Sequence, residues 1–268
     1  MRITGASRTC VKSWFRGCLA LLVGVLLNPW LSATEVRVAT AANFAGPMAQ
    51  LASMFQQTSG HRVIVALGST GALKAQIRHG APFDVFVAGD AAGPAAVVQA
   101  GLGVQGTRFT YAHGRLVLWS RDAGRVDAAG EVLRRRDWQR LAIANPVLAP
   151  YGKAAMETLD RLGVRSSVRS RIVQGENIAQ AYQFVASGNA QLGFVALSQV
   201  MTDGRISRGS AWVVPQQWHS TIAQDAVLLQ RGRDNPAAIA WLEFLRSAPA
   251  RRVMQSYGYE FPSATGAP

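Results

Sequence analysis

Two turns near the start of the chain carry residues suited to gripping an anion. Val36 to Phe44 (VRVATAANF) and Val63 to Leu73 (VIVALGSTGAL) each run from an apolar strand into a short turn that opens an amphipathic helix. Such a turn presents unpaired backbone N–H groups and the positive end of the helix dipole, so an anion sits there without any formal positive charge. The candidate donors are Ala42 by its backbone, Asn43 by its backbone and side-chain amide, and Ser69 and Thr70 by backbone and hydroxyl. Two later segments offer a facing set. They are Asn145 to Gly152 (NPVLAPYG), which leads into a helix near Lys153, and Gly175 to Ile178 (GENI), which leads into one near Ala179. Tyr151 offers a backbone N–H or its phenol, and Ile178 only a backbone N–H. Taken singly, each turn also reads as an ordinary cap, because Asn, Ser and Thr cap helices everywhere. Their recurrence at successive strand ends is what suggests an oxyanion binder.

The elements that must position these turns alternate along the chain. Strands over 36–39, 61–67 and 84–88 alternate with helices near 45–57, 72–78 and 91–100, a βαβαβα order that predicts a mostly parallel sheet with helices on both faces. The pattern restarts with strands at 115–120, 141–144, 171–174 and 192–196 and helices near 153–162 and 179–187. It ends with strands at 211–214 and 226–229 and helices near 236–246 and 249–256. This gives an α/β fold of two doubly wound lobes, one from residues 34–111 plus 225–268 and the other from 112–224. Two crossovers, near Tyr111-Ala112 and Ile222 to Asp225, join them. Ligands of such sheets bind outside the carboxyl ends of the strands, so the two lobes share one cleft.

Other chemistries find little support. His61, His79, His113 and His219 are dispersed without metal-ligand spacing. A hydrolase would use Ser69 with His113 and Asp90, yet GSTG does not match the G-x-S-x-G elbow.

The first 33 residues carry Arg2, Arg8, Lys12 and Arg16, then an apolar run from Leu19 to Leu27, and end in Leu31-Ser32-Ala33, the pattern of a secretory signal. The run, broken by Asn28-Pro29, is shorter than the roughly 20 residues of a spanning helix, so no membrane insertion of the mature chain is expected. Both cysteines, Cys10 and Cys18, fall in this leader, which leaves about 235 thiol-free residues held by their core alone. The formal net charge of +13 drops to +9 when the leader's four cations go. Nucleic acid is not the expected partner, because the densest basic run, Arg134-Arg135-Arg136, has no aromatic interleaving. The basic balance reads as a solvated face that steers small anions.

Six stretches, VRVATAANFAGPM, GSTGALKAQIRHGAPFDVFVAGD, RFTYAHGRLVLWS, IANPVLAPYGKAA, RIVQGENIAQAYQFVASG and LGFVALSQV, resemble in order and spacing the periplasmic molybdate-binding proteins of molybdate ABC transporters. The resemblance covers nearly the whole mature chain. It implies a class II periplasmic binding protein, not an enzyme, that clamps molybdate or tungstate and passes it to a membrane permease; no cofactor is expected, and a monomer fits such a diffusing carrier. It places oxyanion contacts at Ala42, Asn43, Thr70, Tyr151 and the backbone of Ile178, with Ser69 as a further donor. The molybdenum enters as molybdate at these residues, with no free metal-ion site. Two departures stand out: Ala42 lies where family members often have Ser or Thr, and Ala196 where one branch has a ligand-binding Tyr. A fully deprotonated dianion needs only donors, whereas hydrogen phosphate profits from an acceptor for its proton. Glu176 and Asp90 are near enough in sequence to be that acceptor. If both point away, sulfate, molybdate, tungstate and chromate remain. Sulfate binding, or a sensor or adaptor role for the same fold, stays the alternative.

Overall fold

The structure, a computed structural model, describes residues 34–261 apart from Arg136. The expected signal segment lies outside the described residues. In chain order the elements are β1 (Glu35–Ala41), α1 (Ala45–Ser59), β2 (Arg62–Gly68), α2 (Thr70–Arg78), β3 (Val85–Val87), α3 (Ala92–Gln99) and β4 (Phe109–Gly114). Next come β5 (Leu116–Ser120), α4 (Val132–Arg135), β6 (Leu141–Ala144), α5 (Pro150–Arg161), α6 (Arg165–Val168), β7 (Ile172–Gly175), α7 (Ile178–Ala186) and β8 (Leu192–Ala196). The chain continues through a hairpin of β9 (Met201–Thr202) and β10 (Arg205–Ile206) to β11 (Ser210–Val213), β12 (Ile222–Leu228), α8 (Pro236–Arg246) and α9 (Ala248–Ser256).

Two five-stranded sheets result, ordered β2-β1-β3-β12-β4 and β11-β5-β8-β6-β7. In the first, β1 pairs in parallel with β2 and β3, and β12 runs antiparallel between β3 and β4. In the second, β6 is parallel to β7 and β8, whereas β5 is antiparallel to β8 and β11 to β5. Each sheet is thus parallel where strand-to-helix turns feed the cleft and antiparallel where the chain passes between sheets. The crossovers fall slightly off the expected positions. Tyr111 and Ala112 lie inside β4, so the first change of sheet comes at Arg115, and β12 begins at Ile222 rather than Ala226.

Strand alternation explains the layering, because successive side chains leave opposite faces of a sheet. Val36, Val38, Val85, Val87, Ala226 and Leu228 point to one face of the first sheet, where Phe44, Leu51, Phe55 and Trp241 of α1, α8 and their flanks cover them. Ala39, Phe86 and Val227, out of phase with these, point to the other face, where Leu73 and Ile77 of α2 and Val97 of α3 pack. The second sheet packs with its own helices into one cluster around Leu118, Trp119, Leu159 and Phe194. Each such side chain, once fully buried, contributes about 1.5–3 kcal/mol of transfer free energy. Gly60 ends α1 in the left-handed region at φ 73°, which a residue without Cβ adopts freely.

Candidate functional site

The carboxyl ends of the parallel strands of both sheets open on one small cleft. Ala42, Asn43, Ser69 and Thr70 line it from the first sheet, and Tyr151, Asn177 and Ile178 from the second. All six sequence-predicted residues therefore meet, although they span 136 positions of the chain (178 minus 42).

The backbone donors can be counted turn by turn. Ser69 caps α2, its hydroxyl oxygen accepting from the Ala72 N–H at 3.4 Å and its carbonyl from the Leu73 N–H at 3.0 Å. The Gly71 N–H donates across the cleft to the Leu148 carbonyl at 2.9 Å, so Thr70 keeps the first N–H of the helix for the cleft. Its hydroxyl oxygen accepts from the buried Gly89 N–H at 2.9 Å, which leaves its own O–H free to donate. On the opposite side α5 starts at Pro150, three residues before the expected Lys153, because a proline at the first helical position loses only an N–H that had no partner anyway. The Gly152 and Lys153 N–H groups both reach the Ala149 carbonyl, so Tyr151 holds the remaining donor of that turn. In α7 the Asn177 side chain caps the Gln180 N–H at 3.1 Å, leaving the N–H of Ile178 at the tip. Ala42 and Asn43 form the short turn ahead of α1.

Asn43 departs from its expected role. Both hydrogens of its side-chain amide are taken, by Gln224 Oε1 and by the Tyr259 phenol, each at 2.9 Å. Its donor toward the cleft is the backbone N–H alone. Ala42 also has a physical reason to lack a hydroxyl, since its methyl is buried in the apolar cluster of the second sheet.

Beneath the cleft lies a buried polar network that sequence reasoning missed. Gln224 Oε1 accepts from Asn43 and from the Tyr111 phenol at 2.7 Å, and its Nε2 donates to the Tyr151 phenol at 3.0 Å. Tyr259 and Ser198 both donate to the Asn43 carbonyl, at 3.0 and 2.8 Å. These partners lie as many as 216 positions apart, so no local spacing announces them. Burial pushes the Tyr111, Tyr151 and Tyr259 phenols well above their ordinary range, which keeps all three protonated as O–H donors.

Among the described residues no carboxylate lines the cleft. Glu176 is exposed, and Asp90 caps α3 by accepting from the Gly93 N–H at 2.7 Å while lining a neighbouring groove beside Lys153. Burial raises the Asp90 pKa, against the opposing pull of that N–H and of Lys74. Ala196 is buried, its N–H bonded to the Gln199 side chain at 2.9 Å. Among the described residues no group of three or more His, Cys, Asp or Glu is placed to hold a metal ion, and no helix is long and apolar enough to cross a membrane.

Two α/β lobes with helix N-termini from both facing a small uncharged cleft define a periplasmic binding protein of the type II architecture. The sequence model of the bacterial extracellular solute-binding proteins matches residues 36–260. The molybdate-binding protein ModA of Azotobacter vinelandii is 51% identical over 227 residues, 85% of this chain and 90% of that protein. ModA of Rhodobacter capsulatus is 46% identical over 241 residues, covering 90% and 93% of the two chains. The solved structure of the Azotobacter vinelandii periplasmic molybdate-binding protein superposes with a TM-score of 0.83 at 38% identity, over 85% of this chain and all of that one. The chain belongs to the bacterial extracellular solute-binding proteins and, within them, to the molybdate-binding protein family.

Proposed function

We propose that the protein captures molybdate or tungstate between its lobes and delivers it to the permease of an ABC transporter. One observation carries the ligand class. Helix and turn N-termini from both lobes supply N–H and O–H donors to a cleft that no carboxylate and no cation lines. A dianion there takes a charge-assisted hydrogen bond from each donor, each contributing about 1.5–3 kcal/mol. The positive ends of the helix dipoles add to this. Hydrogen phosphate would find no carboxylate to accept its proton, because neither Glu176 nor Asp90 lines the cleft.

Within this reading Ala42, Asn43, Thr70, Tyr151 and Ile178 contact the oxyanion, Ser69 adds its hydroxyl, and no cofactor takes part. The lobes divide at the changes of sheet, residues 34–114 with 222–261 forming one and 115–221 the other. Closure brings both donor sets to the ligand together, so binding shifts a population toward the closed form, and no reaction follows. The protein is a monomer that works in the periplasm after residues 1–33 are removed.

Isothermal titration of the purified mature chain with molybdate, tungstate, sulfate and phosphate tests the proposal. Saturable binding of the first two and none of phosphate is expected. Binding of sulfate alone moves the function to the alternative ligand, and no binding of any oxyanion ends the proposal.

A further inference from the structure

Gln224 touches neither the cleft nor solvent, yet one amide of this residue bonds to a candidate site residue of each lobe. It sits on β12, is fully buried, and has both polar atoms engaged. Its Oε1 takes the Asn43 amide from the turn after β1, and its Nε2 donates to Tyr151 at the start of α5. Two local features exist to make this reach possible. The β4–β12 ladder shifts register between Gln224 and Asp225, so that Tyr111 has no partner across the ladder and its phenol closes on Gln224 Oε1 at 2.7 Å. Such irregularities re-aim side chains near functional sites. The second feature is Gly114 at the end of β4. A Cβ there would stand 2.1 Å from the Tyr151 phenol oxygen and 2.4 Å from Gln224 Nε2, so only glycine leaves room for the pair.

We infer that Gln224 is a positioning residue for the oxyanion site, which locks the Asn43 turn and the Tyr151 helix start at the separation that a bound oxyanion bridges. The bond to Tyr151 joins residues on the two sides of the cleft, next to the change of sheet at Ile222. A phenol that stays protonated and an amide that never titrates make this lock independent of pH in the working range. Tyr151 then has two duties divided between its atoms: its N–H faces the ligand and its phenol faces Gln224.

This inference rests on the oxyanion-binding reading, and a set of variants separates the two. Gln224→Met removes all three bonds of the amide at similar volume, and Tyr151→Phe removes only the phenol hydroxyl while keeping the backbone N–H. The test is titration of wild type, both single variants and the double variant with sodium molybdate, with melting of the unliganded proteins alongside. The expected result is a loss of affinity of about 10-fold or more in each single variant, with the double variant no weaker than the weaker single, because both changes open one lock. Unliganded Tyr151→Phe melts lower, because the buried Gln224 Nε2 loses its acceptor; a merely structural role of the phenol would lower melting in this way and leave the affinity of the folded protein unchanged. Wild-type affinity in Tyr151→Phe, or losses that multiply in the double variant, overturns the inference while leaving the oxyanion reading intact. A wild type that binds no oxyanion overturns both.

Discussion

Gly152 is the point at which a single methyl group should disable the second lobe's half of the site. A Cβ at this position would lie 2.3 Å from the Ala144 carbonyl oxygen and 2.8 Å from its carbon, where ordinary contact begins near 3.4 Å. The obstacle is the backbone at the end of β6, which cannot rotate away as a side chain tip can. Gly152→Ala therefore drives the first turn of α5 off the strand by about 1 Å, the difference between 3.4 and 2.3 Å. Overpacking of this kind costs about 1–3 kcal/mol, or roughly 2–12 °C in melting temperature for a chain of this length. The same displacement takes the Tyr151 N–H out of hydrogen-bonding range of the ligand. Loss of one bond to a charged acceptor weakens binding roughly 10- to 100-fold. Gly163→Ala is the control. It lies beyond the other end of α5, at φ 69° with open space around its Cβ position, so it strains the backbone without touching the cleft. Differential scanning calorimetry and molybdate titration of both variants give the answer: both should melt lower, and only Gly152→Ala should bind weakly. Unchanged affinity in Gly152→Ala, or an equal loss in Gly163→Ala, would refute the idea that the α5 N-terminus grips the ligand.

Three further outcomes follow from the same geometry. Thr70→Val strands the buried Gly89 N–H and removes the free O–H, so melting should fall by an amount matching about 1–3 kcal/mol and molybdate affinity should drop, whereas Thr70→Ser retains most of both. Molybdate affinity should stay constant within about twofold between pH 6 and 9, because among the described residues Tyr151 is the one titratable group lining the cleft and burial holds its phenol far above that range; a steep profile in direct titrations would contradict the uncharged site. For Asp127, partial burial pushes the pKa up, but the N–H groups of Glu131, Ala129 and Val132 and the Arg135 guanidinium outweigh it and lower the value to about 2. A depressed acid stabilises the fold above its unfolded pKa near 3.9 and loses that contribution as pH falls toward 2, here about 2 kcal/mol, so Asp127→Asn should flatten the acid limb of a melting-temperature profile.

Much of this architecture was legible in the sequence because its signals are local. A strand that alternates or runs apolar, a polar turn and an amphipathic helix lie within about a dozen residues of one another, and their order gives the sheets and the cleft. Six candidate residues could be brought together for the same reason, since each stands at a strand-to-helix turn. Other features depended on partners far along the chain. Phe109–Gly114 has no clear period and ends in His113-Gly114, so it read as a crossover, and only pairing with β12 makes it a strand. The amide of Asn43 looked like a ligand donor because its other claimants, Gln224 and Tyr259, are 181 and 216 positions away.

That division has a physical cause that bears on how such a site discriminates. Backbone N–H groups at helix starts are available in any sequence that folds this way, so they set the class of ligand without depending on particular side chains. Ala42 shows the point: its methyl is buried against the second lobe, and the N–H is all it offers the ligand. What decides which anion fits is the distance between the two donor sets. That distance is held by contacts away from the ligand: the Gly71 N–H to the Leu148 carbonyl, the Ser198 hydroxyl to the Asn43 carbonyl, and Gln224 to Tyr151. A cleft closed by fixed bonds of this kind resists stretching, so an anion too small to touch both walls loses the donors of one side. At about 1.5–3 kcal/mol per lost bond, missing two donors separates ligands by roughly 100- to 10,000-fold. On the proposed oxyanion-binding reading, selectivity among oxyanions of equal charge resides in the buried frame, and variants at Gln224, Ser198 and Gly114 should shift it without removing a proposed ligand contact.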